Sequence, residues 1–380
     1  MGEGLISPYK SFADSHLYLG LKVTKGQDFF YEGQDKSPRP YLHYPPGIGL
    51  TIWGMYHFLG YEGDLHLFVP QILPIVTHSL SFLLIFVLSL LLTHSLILAF
   101  LSLIIFTITP MSLYYGHVIE HMPISLPFIL MALISYYSFL TKKQWKYIIA
   151  TLISSALASF YCWTGFFILP ALIIHQLIIS RFHPIEKTKS FILLAIIQEL
   201  AMSAFLLGQI YWADNFTFQA FSEGFSRRIL GSTFENFTLL NLISVNWQFT
   251  RALFTHPLIF SGLIFLVDCL RKLIFQKKLP LSYQIAVISL FIGAAYVVVF
   301  PYNSVHEFAQ FYLIPFFVLS PVLLLQEISS RYLKRKRVLF LAICLCLILL
   351  VFIDGKDTIY NHYTMNGEYP IETPLLEIFK

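Results

Sequence analysis

Ten long apolar runs constrain the fold of this 380-residue chain more than any other feature. Each is close to the roughly 17 to 25 residues that an α-helix needs to cross the hydrocarbon core of a bilayer. A helix satisfies its backbone hydrogen bonds within its own segment, so such runs predict an all-α polytopic membrane protein. The predicted transmembrane helices cover residues 67–92, 95–112, 123–140, 146–161, 165–180, 190–213, 252–273, 281–300, 308–327 and 338–354.

The composition agrees with a bilayer as the solvent. Charged residues make up 12% of the chain, whereas about a quarter of the residues in a soluble protein are charged. The net charge is only +4 and the basic residues lie in short loops, which argues against nucleic acid as a partner. The four cysteines fall in apolar runs, which is typical of small buried side chains and not of a disulfide framework.

Basic loops predict how the chain is oriented in the membrane. Four clusters of lysine and arginine fall on one side of the predicted bundle, and cytoplasmic loops are enriched in these residues. We therefore expect residues 1–66, the loop 213–251 and the tail 355–380 to be extracytoplasmic. The transmembrane domain is predicted to cover 67–354, and the short apolar stretch 45–60 to form a helix in the outer interface. The clusters are Lys142, Lys143 and Lys146; Arg181, Lys187 and Lys189; Arg271, Lys272, Lys277 and Lys278; and Arg331, Lys334, Arg335, Lys336 and Arg337.

Polar side chains collect in three segments on the predicted outer side. Residues 7–47, 114–121 and 301–312 bring carboxylates, imidazoles and tyrosines to one membrane surface, where they can converge. Such side chains suit proton transfer and the stabilisation of a phosphate or an oxyanion. The candidates are Asp14, Arg39, His43, His117, Glu120, His121, His306 and Tyr312, and the loop 213–251 adds Arg227 and Arg228.

Several short motifs together resemble one superfamily of membrane enzymes. Residues 12–18 (FADSHLY), 43–47 (HYPPG) and 58–61 (FLGY) resemble the first external loop of GT-C glycosyltransferases. Within that superfamily, the similarity is to the protein O-mannosyltransferase and aminoarabinose-transferase type. The region of Glu120 resembles the second acidic motif of these enzymes, and residues 306–315 (HEFAQFYLIP) resemble a later segment.

The resemblance implies a GT-C-like fold of about ten transmembrane helices plus an outer interfacial helix, with the first helix of the fold preceding this chain. It also implies a glycosyltransferase whose donor is a sugar on polyprenyl phosphate, held in the membrane lipid. Asp14 is then the general base that activates the acceptor for attack with inversion, and Glu120 is a second catalytic carboxylate. The side chains implied in binding the donor phosphate and substrate are Arg39, His43, His117, His121, Arg227, Arg228, His306 and Tyr312.

Several features of such an enzyme stay open on the sequence. The acceptor is a protein, a lipid or a glycan, and a divalent metal is possible although no ligand set supports it. The active site is expected to face the outside of a bacterial inner membrane or the lumen of the endoplasmic reticulum.

Two other functions compete with the glycosyltransferase. A transporter or lipid flippase would place polar residues within its helices, and Glu199 and Asp268 lie within or near predicted spans. Asp268 is, however, expected to pair with Arg271. A GT-C-like assembly subunit without activity is the other alternative, and its His117 and His121 would be interfacial anchors.

Overall fold

The computed structural model of the chain describes residues 8–30, 39–40, 45–182, 187–213, 222–223, 239–276, 278–300, 307–332 and 336–364. Over these residues the fold is helical apart from one antiparallel pair of two-residue strands, β1 (Phe29–Phe30) and β2 (Arg39–Pro40). The helices are α1 (Pro8–Leu19), α2 (Leu21–Thr24), α3 (Gly47–Leu59), α4 (Leu65–Thr93), α5 (Leu96–Ile108), α6 (Pro110–Tyr115), α7 (His121–Lys142), α8 (Trp145–Tyr161), α9 (Ile168–Phe182), α10 (Thr188–Ala213), α11 (Leu239–Phe254), α12 (His256–Gln276), α13 (Leu281–Val299), α14 (Ile314–Tyr332) and α15 (Arg337–Thr364). Two 3-10 segments, Trp163–Phe167 and Glu307–Leu313, precede α9 and α14.

Six helical segments within the described residues are long and apolar enough to cross a membrane. They coincide with six of the predicted spans and confirm an integral membrane protein with an all-α fold. The other four predicted spans also fall on helices, and whether each of them crosses the bilayer stays a prediction. The six segments are Leu65–Thr93, His121–Lys142, Thr188–Tyr211, Leu281–Val299, Ala309–Arg331 and Arg337–Ile359.

A proline makes one of these helices shorter than its apolar run. The run 95–112 predicts a single helix, but α5 ends at Ile108 and α6 begins at Pro110. Thr109 between them is extended (φ −66°, ψ 128°). The ring of a proline disfavours helical geometry at the preceding residue, so this break follows from the sequence Thr-Pro.

The segment before the first predicted span holds more helix than the sequence predicts. Helix α3 matches the helix expected within 45–60, whereas α1 occupies residues that we expected in a loop. Asp14 therefore lies on a helix, where residues three and four positions away share its face.

The chain forms two compact units. The first comprises Met1–Ser81 and Gly116–Leu230, and the second comprises Phe82–Tyr115 and Gly231–Lys380. Both candidate carboxylates belong to the first unit.

Two glycines bring the elements of the first unit close together. A Cβ atom at Gly47 would lie 2.4 Å from the carbonyl oxygen of Phe160, and one at Gly49 would lie 2.3 Å from Oδ1 of Asp28. Helix α3 can therefore approach the backbone of α8 and the side chain of Asp28 only because these positions lack side chains. The buried cluster around α3 comprises Phe12, Ala13, Ile48, Ile52, Tyr56, Val69, Ile119 and Ile124.

In the second unit, ion pairs join α12 to α14. Asp268 pairs with Arg271 at 2.6 Å between Oδ1 and Nη2, which confirms the expected pair. Lys272 is 2% exposed, binds the same carboxylate, and lies 3.5 Å from Glu327 of α14. Asp268 is thus accounted for by partners within the protein.

Candidate active site

Asp14 lies in a buried group of charged side chains on α1. It is 8% exposed, and its Oδ2 accepts a hydrogen bond of 3.0 Å from Nζ of Lys10. The two residues are four apart on the helix, so they lie on one face. The other oxygen, Oδ1, lies 2.6 Å from Nε2 of His66, which comes from the first turn of α4. One carboxylate therefore has a cation on one oxygen and an imidazole on the other.

A proline and a tyrosine position His66. Pro70 lies inside α4 and has no N–H, so the carbonyl of His66, four residues earlier, has no donor from the helix. The hydroxyl of Tyr56 on α3 donates to that carbonyl at 3.1 Å. The aromatic ring of Tyr56 also lies against the imidazole, with 5.4 Å between the ring centroids. Burial, and next the nearby Asp14 charge, raise the pKa of Tyr56 well above its ordinary value, so its hydroxyl stays protonated and can donate.

The second acidic motif lies at the start of α7. Glu120 is the residue that precedes the helix, and its Oε2 lies 3.3 Å from Nδ1 of His121. The ring of His121 is fully buried, whereas the side chain of Glu120 is 22% exposed. His117 is exposed. Of the two histidines proposed in this segment, His121 is the one that pairs with Glu120 among the described residues.

Both acidic motifs border the same buried cluster. Phe12 and Ala13 directly precede Asp14, and Ile119 directly precedes Glu120; all three belong to the cluster around α3. The immediate neighbours of the two acids therefore belong to one cluster, and convergence of the acidic side chains themselves stays a prediction. Their catalytic roles stay predictions.

A second buried acid–imidazole pair, His16 and Asp28, fixes α1 to the loop that follows α2. His16 lies two residues after Asp14. Nε2 of His16 lies 3.1 Å from Oδ1 of Asp28, and its Nδ1 lies 2.9 Å from the Thr24 hydroxyl. Burial raises the pKa of Asp28 to about 6, an effect that the hydrogen bond and charge of His16 partly offset. Oδ2 of Asp28 is buried without a hydrogen-bond partner. This pair stabilises the conformation that presents Asp14.

Among the described residues, the surroundings of Asp14 provide no set of metal ligands. The Lys10 ammonium already occupies one oxygen of the carboxylate, so a divalent cation there would face a like charge at short range. Within the described ranges, no three histidine, cysteine or acidic side chains are grouped so as to hold a metal.

The remaining candidates are placed only in part. Tyr312 lies in the second unit, 2% exposed, with its ring 5.6 Å from that of Tyr296. Arg39 is described only through its backbone, in β2. Four more candidates lie outside the described residues: His43, Arg227, Arg228 and His306.

Sequence reasoning missed the partners of Asp14. Lys10 could have been predicted from the sequence as a partner of Asp14, because it lies one helical turn before this acid. His66 lies 52 residues away along the chain, and its role depends on packing between α1, α3 and α4. The sequence near His66 offers one indication of its role: Pro70, four residues later, leaves the carbonyl of His66 without a hydrogen-bond donor from the helix.

Solved structures of membrane glycosyltransferases share this fold. The oligosaccharyltransferase of Archaeoglobus fulgidus in complex with Zn and sulfate aligns with a TM-score of 0.56 and 15% identity, covering 84% of this chain and 44% of that chain. The oligosaccharyltransferase AglB from the same organism, in complex with an inhibitory peptide and a dolichol-phosphate, aligns with a TM-score of 0.60 and 14% identity, covering 92% of this chain and 51% of that chain. ArnT from Cupriavidus metallidurans bound to undecaprenyl phosphate aligns with a TM-score of 0.55 and 10% identity, covering 98% of this chain and 69% of that chain.

The fold is therefore similar to the fold of these GT-C enzymes, in agreement with the sequence resemblance. The chain spans about half the length of the archaeal oligosaccharyltransferase that it matches. No protein-family model matches the chain, and no curated protein matches it in sequence.

Proposed function

We propose that this chain is a membrane glycosyltransferase that transfers a sugar from polyprenyl phosphate to an acceptor, with a general base at Asp14. The observation that carries the proposal is a buried carboxylate, held by Lys10 and His66, on a GT-C fold. Two of the similar structures contain undecaprenyl phosphate and dolichol-phosphate, respectively, which supports a lipid-linked donor.

The chemistry needs a base and a cationic environment. The acceptor loses a proton to the base and bonds to the anomeric carbon, while the bond between that carbon and the phosphate oxygen breaks. The lipid phosphate leaves with the bonding electrons, and attack from the opposite face inverts the configuration. Because the leaving group is already anionic, positive charge and hydrogen-bond donors stabilise it better than a strong acid would.

The ammonium of Lys10, 3.0 Å from Asp14, supplies one positive charge for stabilising the leaving phosphate. Glu120, next to the same buried cluster, is proposed as the second catalytic carboxylate. Side chains proposed to bind the donor phosphate and substrate are Arg39, His43, His117, His121, Arg227, Arg228, His306 and Tyr312.

We propose that the site faces the extracytoplasmic side, in a bacterial inner membrane or the endoplasmic reticulum. The support is the agreement among four basic loops on the opposite side. The acceptor is proposed to be a protein, a lipid or a glycan.

A sugar-transfer assay on the variants Asp14→Asn and Glu120→Gln tests the proposal. Membranes containing the full chain are supplied with polyprenyl phosphate carrying a radiolabelled sugar, and label is followed into protein, lipid and glycan fractions. We expect Asp14→Asn and Glu120→Gln to lower transfer by about 100-fold or more while both variants still insert into the membrane. The matched control is Asp64→Asn, because Asp64 is exposed.

Transfer that survives both substitutions would contradict the proposed site. A chain that inserts normally but transfers no label, even unaltered, would instead favour an assembly subunit. Movement of the lipid across the bilayer without loss of its sugar would favour a flippase.

A further inference from the structure

His66 presents a ring nitrogen that is available for proton transfer beside the proposed base. Its Nε2 atom lies 2.6 Å from a carboxylate oxygen of Asp14, a contact that requires a hydrogen between them. In the neutral ring, the lone pair is then on Nδ1. Across the part of the chain that the structure describes, Nδ1 has no hydrogen-bond partner.

The exposed fractions of the His66 and Asp14 side chains also favour Nδ1 of His66 as the atom that accepts the proton. The side chain of His66 is 25% exposed, whereas that of Asp14 is 12% exposed. Both oxygens of Asp14 already accept hydrogen bonds, one from His66 and one from Lys10. An acceptor that approaches from solvent or lipid headgroups therefore meets the imidazole more readily than the carboxylate.

The ring is held in a fixed orientation. Asp14 faces it from α1 and accepts from Nε2–H at 2.6 Å, and Tyr56 faces it from α3. The Lys10 ammonium lies 3.3 Å from Nε2 as a neighbouring charge, because a nitrogen that carries a hydrogen cannot also accept from it. The bond from Tyr56 to the carbonyl of His66 fixes the backbone to which the ring is attached. A side chain positioned in this way loses little freedom when it takes part in a reaction.

We propose that His66 is a catalytic residue of this chain, whose Nδ1 takes the proton of the acceptor, and that Asp14 is the positioning residue that holds Nε2–H. The inference rests on the proposed sugar transfer, but it moves the proton acceptor from the Asp14 carboxylate to Nδ1 of His66, with Asp14 acting through the ring that it orients. As the acceptor bonds to the anomeric carbon, its proton moves to Nδ1 and the lipid phosphate leaves with the electrons of the broken bond. The resulting imidazolium is stabilised by Asp14 and returns its proton to water, a division of roles known from acid–histidine pairs.

Chemical rescue tests this assignment. The full chain is incorporated into lipid nanodiscs, and transfer from radiolabelled polyprenyl phosphate sugar is measured with and without added imidazole. We expect His66→Ala to lower transfer by about 100-fold or more and imidazole to restore part of it. The restored rate should rise with pH as the neutral fraction of imidazole rises. A merely structural histidine would not give this dependence.

His57→Ala is the matched control, because His57 is an exposed histidine on α3. It should transfer normally and not respond to imidazole. A His66→Ala variant that imidazole fails to restore at every pH would overturn the proton-transfer role. If the unaltered chain transfers sugar and His66→Ala transfers it equally well, only the role of His66 fails. If the unaltered chain transfers nothing, the proposed function fails with it.

A measurement on the unaltered protein does not depend on whether the variant folds. Diethyl pyrocarbonate acylates imidazole nitrogens that carry an accessible lone pair, and mass spectrometry locates the modified residue. We expect His66 to be modified, and polyprenyl phosphate to slow the modification. A His66 that resists the reagent would overturn the inference, because its Nδ1 could then not meet an acceptor.

Discussion

Substituting alanine for Gly47 tests whether the close approach of α3 to α8 positions the active site. A Cβ atom at residue 47 would lie 2.4 Å from the carbonyl oxygen of Phe160, whereas ordinary contacts begin at 3.4 Å. The difference, 3.4 − 2.4 = 1.0 Å, is the distance by which the two helices must separate. Forcing extra atoms into a packed contact costs about 1–3 kcal/mol, so the variant should be less stable by that amount.

The same displacement should reach the candidate site. Helix α3 carries Tyr56, whose hydroxyl holds the carbonyl of His66 at 3.1 Å. A shift of about 1 Å can break such a bond, and misplacement of this size can lower a catalytic rate by about 100-fold. We therefore expect Gly47→Ala to reduce sugar transfer as well as stability.

Gly54 on the same helix provides the control. No atom lies within 4 Å of a Cβ built there, so Gly54→Ala should be neutral or raise stability by at most about 1 kcal/mol, through better helix propensity. Thermal unfolding of the purified full chain, followed by the reaction of a thiol-sensitive dye with the three buried cysteines, Cys162, Cys269 and Cys344, measures both variants under one condition. If Gly47→Ala were as stable as Gly54→Ala, the steric argument would be refuted.

Three other substitutions test the contacts around the site and in the second unit. The pKa of Asp28 is raised from 3.8 to about 6 in the folded chain, so stability should increase by at most about 3 kcal/mol as the pH falls from 7 to 4, and Asp28→Asn should abolish this dependence. Lys272→Met should lower stability by about 1–2 kcal/mol, because Asp268 and Glu327 lose the buried cation between them while each keeps an arginine partner. Tyr56→Phe should cost about 1–3 kcal/mol and reduce transfer, because the carbonyl of His66 then has no donor. Thermal and pH-dependent unfolding measures all three effects on stability.

Exposed residues of the same types serve as controls: Asp64→Asn, Lys278→Met and Tyr211→Phe. Each should leave the unfolding temperature nearly unchanged. An Asp28→Asn variant with the pH dependence of the unaltered chain would show that another group is responsible. Equal stability of Lys272→Met and its control would mean that the buried ion pairs contribute nothing net.

The membrane fold could be predicted because it depends on local properties of the sequence. An apolar run such as 67–92 can bury its backbone polar groups only as a helix, and α4 covers it. The break between α5 and α6 was also present in the sequence, as Pro110, but an apolar run alone does not show it. Helix α1 could not be predicted in this way, because it is short, carries charged residues and contains no long apolar run.

The candidate site could be predicted only in part. Asp14 could be selected as a candidate from a short motif, and its cation Lys10 follows from helical spacing once α1 is known. The contact with His66 depends on how three helices pack, and Gly47 and Gly49 permit that packing by leaving room for backbone and carboxylate atoms. Such long-range contacts have no period or spacing in the sequence from which they could be inferred.

Appearance of free polyprenyl phosphate is the most direct measurement of sugar transfer at Asp14, because it does not require that the acceptor be known. The purified full chain is mixed with sugar-loaded polyprenyl phosphate and a membrane extract, and the lipid product is quantified by mass spectrometry. The account predicts free carrier with the unaltered chain and about 100-fold less with Asp14→Asn. Equal release by both proteins, or release by neither, would contradict it.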